Sequence, residues 1–248
     1  MSADTAVEIC IDDVDGAVVA QECGAARVEV CAALSEGGTT PSWGALTAIL
    51  ARVQRLEVSV LVRPRAGNFT YSVAETDTQL ADIAAVRSLS APPDVRLGVV
   101  VGPLRADGTV DTDLLRRLVA AAGDLPVTFH RAFDTLADLS GALETLIDAG
   151  VTRVLTSGGA RTALEGVDVL AGLVAHAGDR IEVMAGGGVR ACNAAELVAR
   201  TGVPAVHLRA GEPVVTAASS ATDISYDVPR QVTAPGPVRA VVAALAEW

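Results

Sequence analysis

Short apolar runs recur along the chain, and each ends in charged, thiol or glycine residues: VEICID, RVEVC, VSVLVR, PVTFHR, RVLTSGG, IEVMAGGGVR and AVHLR. Segments with helical spacing separate them. Such a repeat constrains the fold strongly, because parallel strands need a crossover helix between them. Read as strands feeding loops, the runs put Glu8, Glu29, Arg63, His130, Ser157 and His207 at or near one end of a parallel sheet. α/β proteins keep their sites at that end.

The strands are predicted at Val7–Ile11, Arg27–Cys31, Val58–Val62, Arg96–Val101, Val127–His130, Arg153–Thr156, Ile181–Ala185 and Ala205–Leu208. Asp12 or Asp13 caps the first helix, which ends near Cys23 and Gly24. Later helices are predicted from near Ser42, then over Ala74–Leu89, Asp111–Ala122, Leu136–Ala149, Ala163–Ala177, Asn193–Arg200 and Pro237–Glu247. Gly24, Gly150 and Gly202 stand before strands, where helix C-caps belong. Eight strand-plus-helix units predict an α/β fold of the closed (β/α)8 TIM-barrel type rather than an open sheet. No composition break divides residues 1–248, so a single domain is expected. The stretch 209–234 is long for a loop and reads as a lid, an interface arm or a partly disordered segment.

Composition narrows the function classes. Hydrophobic residues make up 50% of the chain and aromatics only 3%, so the core must be built from Val, Leu, Ile and Ala. The net charge of −11 argues against nucleic acid as a partner. All 19 basic residues are arginine, which removes Schiff-base chemistry on lysine. No leader is read before the first strand, and no apolar stretch is long enough to span a membrane. Cys10, Cys23, Cys31 and Cys192 include no CxxC pair and are expected to be reduced thiols in the cytoplasm.

Strand alternation sends Glu8 and Cys10, and then Arg27, Glu29 and Cys31, into the barrel. Arg27 with Glu8 or Glu29 is an internal ion pair, read either as part of an anion site or as a salt-bridge layer plugging the barrel floor. Arg63-Pro64-Arg65 after the third strand is a rigid corner suited to a carboxylate or phosphate. His130 closes the fifth strand and is read as an acid or base, with Asp134 setting its tautomer or pairing with Arg131. His207 closes the eighth. Ser157-Gly158-Gly159 and Gly186-Gly187-Gly188 offer backbone N–H groups as anion nests.

These motifs together resemble the CutC family. The resemblance rests on Val7-Glu8-Ile9-Cys10, Arg27-Val28-Glu29-Val30-Cys31, Glu36-Gly37-Gly38-Thr39-Thr40-Pro41-Ser42 and Arg63-Pro64-Arg65-Ala66-Gly67-Asn68-Phe69. It continues through Thr128-Phe129-His130-Arg131-Ala132-Phe133-Asp134, Arg153-Val154-Leu155-Thr156-Ser157-Gly158 and Met184-Ala185-Gly186-Gly187-Gly188-Val189 to His207. It implies a single-domain (β/α)8 barrel, a homodimer and a copper-homeostasis role, with copper held by cysteines that include Cys31. The chain departs from that pattern after His207, where Leu208 and Arg209 replace small or hydroxyl residues.

Two chemistries are therefore expected to compete at the mouth. Cu(I) favours thiolates, and Cys10 and Cys31 lie on adjacent strands, though two thiols alone give at most a linear site. A divalent ion would instead use Glu8, Glu29 and His130. The second reading is an enzyme acting by acid–base or metal-assisted chemistry on a small phosphorylated or carboxylated metabolite. There Glu8, Glu29, His130 and Asp134 are the catalytic groups, and Arg27, Arg63, Arg65, Ser157, Gly158, Gly186, Gly187 and His207 hold the anion. No organic cofactor is expected. The 209–234 segment and Leu245–Trp248 offer surface for a dimer.

Overall fold

The computed structural model describes residues 5–214 and 230–246. Eight parallel strands close a barrel in sequence order. They are β1 (Ala6–Ile11), β2 (Arg27–Val30), β3 (Leu56–Leu61), β4 (Val95–Val101), β5 (Val127–Phe129), β6 (Arg153–Thr156), β7 (Glu182–Gly186) and β8 (Ala205–Leu208). Closure comes from β1 pairing with β8, Ala6 opposite Ala205 through Ile9 opposite Leu208. A closed sheet has no free edge.

The helices outside are α1 (Val14–Glu22), α2 (Trp43–Leu50), α3 (Val73–Arg87), α4 (Thr112–Ala122), α5 (Leu139–Asp148), α6 (Val167–Ala177), α7 (Ala191–Thr201) and α8 (Pro235–Ala246). Their starts follow capping chemistry. The side chains of Asp13, Ser42, Asp111 and Asp138 accept backbone N–H groups of the first turn, and Ser72 with Glu75 forms a reciprocal capping box. In α4 the buried Leu114, Leu115 and Leu118 share one face, and Arg116 and Arg117 lie on the exposed one.

Two helices begin later than the apolar spacing suggests. Leu136–Leu139 is displaced by a 3₁₀ turn at Arg131–Thr135. α6 starts at Val167 because Thr162–Glu165 forms a small reciprocal cap of its own, and because Gly166 packs against the Ser157 carbonyl. Within 209–234, Gly211–Val214 (β9) and Arg230–Thr233 (β10) pair as a two-stranded antiparallel ribbon. The rest of that expected loop lies outside the described residues, as does Trp248. Among the described residues no helix is long and apolar enough to cross a membrane.

Alternation divides the barrel wall cleanly. Val7, Ile9, Ile11, Val28, Val30, Val58, Val60, Phe129, Val154 and Val206 face the helices and form the continuous apolar core. The inward face is largely polar. Among the described residues two small apolar clusters break it, one of Cys10, Cys31, Leu61 and Val100 and one of Leu155, Met184 and Ala205.

Candidate functional site

At the amino-terminal floor, four charged side chains form one chain of ion pairs. Glu182 Oε1 accepts from Arg27 Nη2 and from Arg153 Nε, each at 2.7 Å. Arg153 Nη1 also reaches Glu57 Oε1 at 3.0 Å and donates to Thr128 Oγ1 at 3.1 Å. Arg27 Nε donates upward to Glu8 Oε2 at 3.1 Å. Arg27, expected among the anion-binding groups, is thus committed to the floor and does not line the mouth cavity. Its contacts are those of a salt-bridge layer across the barrel floor, the alternative to an anion site that the sequence left for it.

Above the floor the network continues through Glu8, whose Oε1 is 2.7 Å from His207 Nδ1. Burial pushes the Glu8 carboxyl up, but the bond to His207 and the charges of His207, Arg27 and Arg153 win, so it stays ionised. His207 is disfavoured as a cation by burial, yet Cys10, Glu8 and Glu29 raise it well above the ordinary imidazole range. Its Nε2 stands 3.8 Å from Glu29 Oε2.

The next layer holds the thiols. Cys10 Sγ lies 3.8 Å from Cys31 Sγ and 3.3 Å from Glu29 Oε2. The hydrogen bond with Cys31 and the neighbouring His207 outweigh burial and bring the Cys10 thiol down to about 5. The same bond and burial drive the Cys31 thiol up. Burial, then the Cys10 charge, raise Glu29 well above the carboxylate range. Within the trio Cys10 is therefore the group most readily ionised, and Glu29 and Cys31 hold their protons longer than an ordinary carboxyl and thiol. The three ligand atoms lie within 4.8 Å of one another. The alternative hard-ion set of Glu8, Glu29 and His130 is not assembled among the described residues, because Glu8 is taken up by Arg27 and His207.

These groups open into a cavity of about 200 Å³ lined by Cys10, Glu29, Cys31, His207, Arg63 and His130, with Leu34, Leu61, Phe69, Leu155 and Arg131 around them. Glu29 and His130 thus share the carboxyl end of the barrel. Arg63 is buried, and its guanidinium donates to the carbonyls of Glu36, Gly38 and Gly67, tying together the loops after β2 and β3. Arg65 faces away. It pairs with Glu75 and bonds Asn68 and Thr70, so it braces the start of α3 rather than the cavity.

Of the two partners the sequence offered Asp134, the structure has Arg131 and not His130. Its carboxylate accepts from the backbone N–H groups of Ser157 and Gly159, from Thr156 Oγ1 and Ser157 Oγ, and from Arg131 Nε. The nest at Ser157-Gly158-Gly159 is therefore filled by the protein's own carboxylate. Gly186 and Gly187 make room for side chains: a Cβ on Gly186 would lie 2.5 Å from Leu155 Cδ1, and one on Gly187 3.2 Å from the Arg131 guanidinium. His130 is engaged by the backbone rather than by Asp134. Its Nδ1 accepts the Ala132 N–H at 3.1 Å, and burial, then the Arg63 charge, push its pKa down to about 3.

A buried neutral histidine has a pH signature. Between about 6.5 and the folded value near 3, the unfolded chain binds a proton that the folded chain does not. This contribution to stability is complete above about pH 6.5 and is lost as pH falls, by up to ~1.4 kcal/mol per pH unit. Urea unfolding of His130→Gln over that window is expected to show a flatter pH dependence than the wild type. Equal slopes would mean that His130 is charged in the folded protein.

Phe69 also lines the cavity, a role its place in the loop after β3 did not signal. Gly102 carried no signal at all; a Cβ there would sit 2.1 Å from His130 Cε1.

The CutC family model matches residues 5–212. A CutC family protein of Mesorhizobium japonicum is 48% identical over 204 residues, 82% of this chain and 77% of the relative. One from Caulobacter vibrioides is 45% identical over 208 residues, covering 84% and 82%. The crystal structure of the putative copper homeostasis protein CutC from Streptococcus agalactiae superposes with a TM-score of 0.74 at 32% identity, over 82% of this chain and 97% of that one.

Proposed function

The chain belongs to the CutC family, and on that premise we propose that it takes Cu(I) as cargo at Cys10 and Cys31, in a copper-homeostasis role. The observation that carries the reading is the pair of buried thiols 3.8 Å apart, with Glu29 Oε2 3.3 Å from one of them. Thiolates are the ligands that soft Cu(I) selects. A linear two-thiolate site would hold its sulfurs about 4.6 Å apart, twice a metal–sulfur bond of about 2.3 Å. The closer spacing here calls for a third donor, and Glu29 is beside the pair.

The surrounding residues suit that task. The Cys10 thiol is already brought down to about 5, so the protons that binding displaces are those of Cys31 and of Glu29 as third donor. His207, kept cationic and oriented by Glu8, balances the thiolate charge. A disulfide is the poorer use of the pair. Cys10 is in register with Glu29, two residues short of Cys31, which puts the cysteine Cα atoms on the order of 8 Å apart, beyond bridging reach. Reduced thiols fit a cytoplasmic location, and we place the protein there.

Anaerobic titration against a chromogenic Cu(I) chelator tests this. The wild type is expected to take up one equivalent. Cys31→Ser is expected to lose more than the roughly 10–100-fold that removal of an outer-shell partner costs. Equal affinity in wild type and Cys31→Ser would overturn the assignment.

A further inference from the structure

His130 is built as a hydrogen-bond donor that has nothing to donate to. Its ring is neutral, and Nδ1 is occupied by the Ala132 N–H. The ring proton must therefore sit on Nε2. Nε2 is buried and has no hydrogen-bond partner among the described residues. A buried donor without a partner is costly, because it has given up water and gained nothing in exchange.

The chain nonetheless fixes this donor in place. Phe69 packs over the imidazole with ring centroids 4.8 Å apart. Gly102 leaves the space into which the ring edge fits. Nδ1 is held by backbone, so the ring cannot turn over without losing that bond.

The field at this wall is positive. Arg63 is the charge that acts on the His130 ring. Three carbonyls solvate it, and no carboxylate lies within ion-pair distance of it among the described residues. Arg131 lines the same cavity from the rim, half-exposed, with Nε on Asp134 and Nη2 on Ser157 Oγ. Leu34, Leu61, Phe69 and Leu155 supply apolar lining.

We propose that the wall formed by His130, Arg63, Phe69 and Arg131 binds a small carboxylate with a short apolar body, one oxygen accepting the Nε2–H of His130. The chemistry that selects it is a neutral donor, one uncompensated cation and a cavity of about 200 Å³. That volume lies below the roughly 300–1,000 Å³ of sites for drug-sized ligands. A single unbalanced charge suits a monoanion better than the more highly charged phosphate. This subsite does not depend on copper, although it shares the cavity with the thiols.

The test is nitrogen–proton NMR of the imidazole during titration with acetate, pyruvate and inorganic phosphate at constant ionic strength, with chloride as the control. The His130 ring is expected as the neutral Nε2–H tautomer. Acetate or pyruvate should shift that resonance saturably and chloride should not. The same response is expected in the Cys10→Ser/Cys31→Ser double variant, which separates this site from the copper reading. His130→Phe should weaken carboxylate binding roughly 10-fold or more, as loss of a hydrogen bond to a charged group does. Arg131→Gln, a rim change, should weaken it less. Absence of saturation by both carboxylates, tighter binding of phosphate than of either, or undiminished binding in both variants would overturn the proposal.

Discussion

Replacing Arg153 by methionine is expected to destabilise the barrel by about 3–5 kcal/mol, the cost of breaking a buried charge network from one side. Arg153 is buried at the floor and serves Glu57, Glu182 and Thr128 together. Its removal leaves the Glu57 carboxylate unpaired and takes one of two donors from Glu182. Burial disfavours the Arg153 cation, but Glu57, Glu182 and Glu8 more than compensate, so it stays charged in the intact network. Chemical denaturation should show a lower midpoint with an unchanged slope. The solvated pair Arg161–Glu165 is the control, and Arg161→Met should leave the midpoint where it is. Equal midpoints for Arg153→Met and wild type would mean that water reaches the floor and screens it.

Asp134→Ala is expected to be comparably damaging, also about 3–5 kcal/mol. Its carboxylate is buried and accepts two backbone N–H groups, two hydroxyls and the Arg131 guanidinium. Hydrogen bonds to a charged acceptor contribute about 1.5–3 kcal/mol each, less than additively. The vacated nest should then take an external anion. Formate is expected to restore part of the lost stability in Asp134→Ala and to leave the wild type unchanged. A loss no larger than that of an ordinary surface substitution would show that the 3₁₀ turn and the β6 loop hold each other without the carboxylate.

The eight strands were legible because parallel strands covered by helices must be apolar on one face, and the alternation of Glu8 with Cys10 and of Arg27, Glu29 and Cys31 marks the other. The same alternation on β3, β6 and β7 sends Glu57, Arg153 and Glu182 inward, Glu57 in register with Arg27 and Arg153 with Glu182, so the floor network was readable in principle from strand phase. The fate of Asp134 was not. Whether a carboxylate orients a histidine or fills a nest depends on how far a 3₁₀ turn carries it, and local spacing does not encode that distance. Arg63 looked like an anion clamp for a similar reason. Its two terminal nitrogens are engaged by carbonyls, two of them in a loop 25 and 27 residues away in sequence, so it donates to the backbone while its charge stays unpaired. Gly102 shows the opposite limit: a glycine inside an apolar run gives no hint that an imidazole occupies the space its side chain lacks.

Copper-edge X-ray absorption on the Cu(I)-loaded protein reads the ligands of the bound ion. Two sulfur scatterers and one lighter atom per copper are expected in the wild type, and one sulfur in Cys31→Ser. A shell of only nitrogen and oxygen, or the wild-type spectrum in the Cys10→Ser/Cys31→Ser protein, would contradict binding at Cys10 and Cys31.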